Sequence, residues 1–312
     1  MSMNKNLKII FMGTPEFSVP VLNSLIQNYN IITVVTQPDK KVGRKQELTS
    51  SPVKKVALEN KIEVLQPDKI DQSFVSEIKE INPDLIVVVA YGFILPQELL
   101  NIPKYGVINI HASLLPKYRG ASPIQSAILN GDQVTGVSIM LINEKMDQGP
   151  ILSQSEADIE PGETFSSLHD KLAILGSHLL IDTLPKYLNQ EIKPIIQDDT
   201  QATYCQKITK DDGKIDWSKP ATEIETMIRA FDPWPETWSY WGDKKLKILA
   251  GTVNNSRTLD KAGTILKDGD NLLICTGEGN LQVKKIQLEG KKEMGVKDFL
   301  NGYPQIVGEV LK

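Results

Sequence analysis

Asn109 and His111 alternate with Ile108 and Ile110 in the run VINIH. Residues two apart on a strand share a face. An amide and an imidazole would therefore project side by side, while the two isoleucines fill the opposite face. Two polar side chains in a buried strand cost several kcal/mol unless they are paired or used. Hydrogen-bonded core polars are the competing reading. The pair, however, lies at the end of a strand, where open α/β sheets bind their ligands. Asp147 is a third candidate, in the loop Asn143 to Pro150 between two β-type runs. Taken alone, an Asp beside a Gly-Pro turn is a turn residue.

Several other chemistries lack their residues. The turn after the first apolar run is Gly13-Thr14-Pro15-Glu16-Phe17, with no GxGxxG fingerprint, and neither a phosphate-binding GxxxxGK[ST] nor a GxSxG nucleophile elbow occurs. Of three histidines, His169 and His178 lie nine apart on one helical run, on opposite faces, so no multi-histidine metal site is expected. Cys205 and Cys275 form no CxxC and no disulfide framework. They read as buried free thiols in a reducing compartment.

Such candidates need a scaffold. LKIIFM (7–12), IITVVT (31–36), IEVLQ (62–66), DLIVVVAY (84–91) and GVINIH (106–111) read as strands. Thr14 and Pro15 read as a helix start; 71–81, 122–131 and 164–188 read as helices. Alternation of this kind predicts an α/β, Rossmann-like, mainly parallel sheet with helices on both faces. Chemistry should then sit just after Met12, Val89–Ala90 and His111. VTGVSIMLI (134–142) and ILSQSEADI (151–159) add two strands. Residues 190–206 read as a linker. Beyond it one helix, 221–231, precedes short strands at close spacing, which predicts a small OB-like β-barrel. The expected organisation is therefore a domain at 1–189, a linker at 190–206 and a β-barrel domain at 207–312. Four tryptophans fall in that last part, and core packing is favoured over base stacking for them.

The 312 residues, 40% hydrophobic and 24% charged, carry enough apolar material for two packed cores and exclude a disordered chain. The N-terminal apolar stretch is too short for a secretory segment. The charge-free run from Phe17 to Pro38 is interrupted by Pro20 and several Asn, Ser and Gln, so no membrane helix is expected. A soluble cytoplasmic protein follows. The net charge of −4 argues against general nucleic-acid binding. Up to residue 206 there are 18 basic and 23 acidic side chains, and beyond it 17 and 16. Basic character is instead local: residues 40–46 hold Lys40, Lys41, Arg44 and Lys45 with no acidic residue, and Lys54 and Lys55 follow.

The segment HASLLPKYRGASPIQ, with Asn109 two residues upstream, resembles the signature of the 10-formyltetrahydrofolate-dependent formyltransferases. FMGTPEFSVPVL, QPDK, SSPVK, VVAYGFILP and FDPWPETW extend the resemblance over essentially the whole chain, and point to the branch that acts on methionyl-tRNA. The resemblance implies that Asn109, His111 and Asp147 form the catalytic set, the Asp within D-x-G-P-I. It implies 10-formyltetrahydrofolate as formyl donor, without a metal, and methionyl-initiator-tRNA as acceptor. Ser113, Leu114, Leu115 and Pro116 are placed against the folate by the same resemblance. Val89, Ala90, Tyr91 and Gly92 end the strongest strand, and their backbone groups can bond a pterin edge. The loop 40–48 matches the family's tRNA-binding insertion in place and charge, so Lys40, Lys41, Arg44 and Lys45 are the expected tRNA contacts. The C-terminal barrel would help grip the tRNA, and the chain would act as a monomer with no membrane partner.

Alternatives are another formyl-folate enzyme, such as a sugar-nucleotide N-formyltransferase or a formyl-folate hydrolase, and a non-catalytic RNA-binding protein. The basic insertion and the β-rich tail favour tRNA. A binding module has no need of three placed polar groups.

Overall fold

The structure is a computed structural model that describes residues 7–42, 46–256 and 260–312. Arg44 and Lys45, two of the expected tRNA contacts, lie outside the described residues. The chain forms two compact units.

The first unit is built in chain order from β1 (Lys8–Gly13), α1 (Val19–Asn28), β2 (Asn30–Val35), β3 (Lys40–Val42), β4 (Glu47–Thr49), α2 (Pro52–Glu59), β5 (Glu63–Leu65), α3 (Gln72–Ile81), β6 (Leu85–Val89), α4 (Gln97–Leu100), β7 (Val107–His111) and β8 (Arg119–Gly120). Then come α5 (Pro123–Leu129), which apart from Pro123 falls in the second unit, β9 (Val134–Leu141), β10 (Ile151–Asp158), α6 (Phe165–Leu188), which falls in the first unit from His169 onward, and β11 (Tyr204–Cys205). The main sheet runs β10-β9-β7-β6-β1-β2-β5. Its five strands from β7 to β5 are parallel, and β9 and β10 add an antiparallel edge. The sequence explains this split. IIFM and LIVVV are apolar throughout and wholly buried, as strands covered on both faces must be, whereas β10 beyond Leu152 alternates half-buried and exposed residues. β1, β6 and β7 are neighbours, so their carboxyl ends converge on one edge.

The expected helix start at Thr14 falls later. A 3₁₀ turn spans Glu16–Ser18, and α1 begins at Val19. The two hydroxyls that could cap it are committed elsewhere: Ser18 Oγ donates to Val89 O at 2.7 Å and Thr14 Oγ1 to Tyr91 O at 3.3 Å. Capping yields here to a tie between the ends of β1 and β6. The expected linker is bonded to the first unit along its length. Ile195 bridges Ile151, Thr203 O accepts from the Arg119 N–H at 2.9 Å, and β11 pairs with β8.

The second unit contains α7 (Ala221–Ala230), β12 (Thr237–Trp241), β13 (Lys244–Asn254), β14 (Ile265–Asp268), β15 (Asn271–Cys275), β16 (Asn280–Leu288), β17 (Met294–Gly295) and α8 (Val296–Gly302). Its antiparallel sheet runs β12-β13-β16-β15-β14, with β17 beside β16. Closure comes from the last residues. Lys312 exchanges backbone bonds of 2.9 and 3.1 Å with Tyr240 on β12, while the Gly308 and Leu311 N–H groups bond Ile265 O and Gly263 O at β14. The tail thus fills the gap between the edge strands and makes the barrel. Inside it Leu246, Ile248, Leu281, Ile286 and Phe299 are buried against Ile224 and Ile228 of α7. Trp217 and Trp238 are buried, with indole N–H groups bonded to Ser239 Oγ and Lys210 O; Trp234 is exposed.

Candidate active site

β7 delivers the pair as its alternation requires. Ile110 packs toward α6, where a Cβ added at Gly176 would meet its Cγ2 at 2.9 Å. Asn109 and His111 therefore face away from α6. His111 is 6% exposed, and its Nε2 lies 2.9 Å from Tyr118 O. A carbonyl only accepts, so Nε2 carries the hydrogen. That assigns the tautomer: the remaining ring nitrogen, Nδ1, turns toward Asp147 Oδ1 at 3.8 Å. This separation is an ion-pair distance and too long for a hydrogen bond. A donor toward substrate at Nδ1 therefore requires the imidazolium form. Asn109 is half-buried, and no protein hydrogen bond to its amide occurs among the described residues.

Asp147 is held from two sides. Its Oδ2 accepts the Gly120 N–H at 2.8 Å. Its backbone is left-handed, with φ of 52°. Glycines flank the site for steric reasons. Gly120 has φ of 124°, and a Cβ there would stand 2.1 Å from Cys205 O. At Gly149 a Cβ would stand 1.7 Å from Leu141 O.

The loop after β7 spends its polar groups on itself. Ser113 is fully buried; its Oγ donates to Lys117 O at 2.6 Å, and its carbonyl accepts from Ser138 Oγ at 2.6 Å. Leu115 N–H donates to Ser138 Oγ, and Leu115 O accepts from Gln154 Nε2. Leu114 and Pro116 are the half-buried members. The loop is thus a rigid wall rather than a set of available polar groups. At the end of β6, the Val89 and Tyr91 carbonyls accept internal bonds, the latter from Gln37 Nε2 at 2.9 Å as well as from Thr14. The Tyr91 ring is buried in the core, where desolvation raises its phenol well above the ordinary value. Ala90 and Gly92 are the exposed part of this turn, at φ of 46° and 88°.

The basic loop is a β3–β4 hairpin with Lys40 and Lys41 exposed. Its base is tied. Asp39 accepts from Lys54 Nζ at 2.8 Å and Gln66 Nε2 at 2.9 Å, and Ser50 Oγ bonds it at 3.3 Å from the returning arm. The hydrogen bond from Lys54 and that from Gln66 hold the Asp39 carboxyl below its ordinary range. Lys54, whose Nζ also donates to Gln66 Oε1 at 2.6 Å, is accordingly a structural cation.

Two residues missed from the sequence complete the site. Arg119 has no exposed surface, and Gln197 is buried beside it. Arg119 sits inside the signature segment, and a cation there with no acidic neighbour in sequence was the available signal. Gln197 lies in the presumed linker, and nothing local marks it. Among the described residues no cluster of His, Cys, Asp and Glu suits a metal ion, and no helix is long and apolar enough to cross a membrane.

Comparison with known proteins agrees with this architecture. Residues 6–184 match the formyl transferase family, and residues 207–304 match the formyl transferase C-terminal domain. Methionyl-tRNA formyltransferase of Caldanaerobacter subterraneus subsp. tengcongensis is 44% identical over 309 residues, 98% of this chain and 100% of its own. That of Clostridium novyi is 45% identical with the same coverage. Among solved structures, an N-formyltransferase from Helicobacter canadensis, in complex with folinic acid and dTDP-3-aminofucose, has a TM-score of 0.66 at 21% identity, covering 89% of this chain and 98% of its own. HypX from Aquifex aeolicus, in complex with tetrahydrofolic acid, has a TM-score of 0.64 at 16% identity over 96% of this chain. This chain spans about half of HypX, 48% of its length. At these identities the two structures speak for the fold, whereas the two relatives match end to end. The chain belongs to the formyl transferase family, in the branch of the methionyl-tRNA formyltransferases.

Proposed function

We propose that this chain transfers the formyl group of 10-formyltetrahydrofolate to the free amino group of methionyl-initiator-tRNA, yielding formylmethionyl-tRNA for translation initiation. The observation that carries this reading is the joint placement of Asn109, His111 Nδ1 and Asp147 at the carboxyl end of β7, in a chain about 44% identical to named methionyl-tRNA formyltransferases. Folinic acid and tetrahydrofolic acid bound in the fold relatives support a folate donor.

The reaction is acyl transfer between nitrogens. The amine lone pair forms a bond to the formyl carbon, and the carbonyl electrons move onto the formyl oxygen. Donors aimed at such an oxygen lower the barrier by about 3–4 kcal/mol each. The Asn109 amide and a proton on His111 Nδ1 serve that role. Tyr118 O holds the far side of the ring, so the ring needs no reorientation during reaction. As the C–N bond to the folate N10 breaks, the amine loses a proton and N10 gains one. Asp147 faces His111 and can pair with its charged form or pass that proton through water. A free α-amino group has a pKa of about 7.7–8.0, so roughly a tenth or more is already neutral at pH 7 and no strong base is needed. No activated Ser or Cys belongs to the set, which supports direct transfer without an acyl-enzyme.

In this reading residues 1–189 are the catalytic domain, 190–206 the connection and 207–312 the tRNA-gripping barrel. Lys40, Lys41, Arg44 and Lys45 contact tRNA phosphates. Leu114, Pro116, Ala90 and Gly92 face the folate, and Ser113, Leu115, Val89 and Tyr91 hold those walls. The protein works in the cytoplasm as a monomer. The direct test is incubation with 10-formyltetrahydrofolate and charged initiator tRNA. Formylmethionine on the initiator, and much less on charged elongator tRNA, is the expected result. Absence of formyl transfer to initiator tRNA would overturn the reading.

A further inference from the structure

The Gln197 side chain makes all four hydrogen bonds that a primary amide offers. Its nitrogen donates to Asp147 O at 2.8 Å and to Gly149 O at 2.7 Å. Its oxygen accepts from Arg119 Nε at 3.0 Å and from Arg119 Nη2 at 2.9 Å. One side chain therefore grips both ends of the Asp147-Gln148-Gly149 turn. The Asp147 backbone is left-handed, a conformation that costs energy in a non-glycine residue unless its surroundings impose it. Behind Gln197, Arg119 is anchored by Asp199 Oδ1 at 2.7 Å and by the Tyr204 hydroxyl at 3.3 Å. The residue following Arg119 is Gly120, whose N–H binds the Asp147 carboxylate directly. Backbone and carboxylate of Asp147 are thus held from one buried cluster.

We infer that Gln197, backed by Arg119, is a positioning residue for the formyl transfer: it fixes the Asp147 turn so that the carboxylate stays opposite His111 Nδ1. The inference rests on the proposed role of Asp147. A glutamine that served only the fold would raise stability and leave the chemical step untouched. A misplacement of about 1 Å at a reacting group can cost up to ~10²-fold in rate, so positioning predicts a loss in kcat.

The test uses the full chain and steady-state formylation of charged initiator tRNA. Gln197→Met keeps the volume and removes all four bonds. Gln197→Glu keeps the acceptor for Arg119 and removes both donors to the turn. Both should lower kcat by about 10-fold or more, with KM for tRNA and for folate within about twofold. In an Asp147→Asn background, which retains a residue type that tolerates left-handed backbone, Gln197→Glu should cost less than about twofold more, because the two act through one group. Multiplying losses in that background would overturn the inference. So would a Gln197→Glu protein with wild-type kcat, or failure of both single variants to fold. If Asp147→Asn itself keeps wild-type turnover, the role of Asp147 falls and the inference falls with it. Loss in Asp147→Asn with none in Gln197→Glu removes the inference alone.

Discussion

The end of β7 and the β3–β4 hairpin use polar residues in opposite ways. At β7, His111 and Asp147 are largely buried, and fixed partners hold the imidazole, the carboxylate and the Asp147 backbone. On the hairpin, Lys40 and Lys41 are exposed, and only its base, at Asp39, is tied in several directions. The two roles proposed for these regions differ in range, and would require this contrast. Charge developing on one oxygen is stabilised by donors placed beforehand at hydrogen-bond distance, away from water. A polyanion is held by long-range attraction and counterion release, which need cations in solvent and little fixed geometry. Rigid parts should therefore fail in kcat and exposed parts in KM.

The largest effects should come from β7 and its partner. Asn109→Ala, His111→Ala and Asp147→Asn should each lower kcat at least about 10²-fold, with tRNA binding little changed. Near-normal turnover in any one would remove that residue from the catalytic set. A transient formyl-protein adduct on mass spectra would refute direct transfer. Next in size, combining Lys40→Ala, Lys41→Ala and Arg44→Ala should raise KM for tRNA about 10-fold or more at low salt, with folate binding unchanged and a smaller penalty at high salt. Equal losses on a minimal non-tRNA acceptor would erase the distinction between the two regions. The smallest effect tests the seam. Lys54→Met should lower Tm by about 2–4 °C at neutral pH, the response expected for roughly 1 kcal/mol in a unit of this size. Because Asp39 is held below its ordinary range, its contribution is present above that range and is lost as pH falls through the lowered value. The Tm gap between Lys54→Met and the parent should therefore close toward pH 3. A gap that is constant with pH would mean that Lys54 acts through packing.

Much of this architecture could be read from local pattern. The buried runs of β1, β2, β6 and β7 and the alternation of Asn109 with His111 required only nearest neighbours. The close spacing of short strands in the second unit is legible in the same way. Less local features were illegible. The α1 start moved because Ser18 and Thr14 bond residues 71 and 77 positions away. Barrel closure by Lys312 and Leu311 was equally hidden, because a five-residue tail carries no periodicity of its own. Gln197 lay in a stretch with a linker's texture, and its partner Arg119 stands 78 residues earlier.

The fold class, the presence of a second β-rich part, the family and the residues proposed to react are all legible in the order of the amino acids. These depend on the order of apolar and polar groups along a few turns or strands, and on motifs that survive in one dimension. The folded chain adds which ring nitrogen of His111 faces Asp147, that Lys54 is tied to Asp39, and what holds the Asp147 turn. Each of those depends on directional contacts that no local periodicity encodes. Burial favours such bonds, because an unpaired polar group in the interior costs about 1–3 kcal/mol out of a net stability of only about 5–15 kcal/mol.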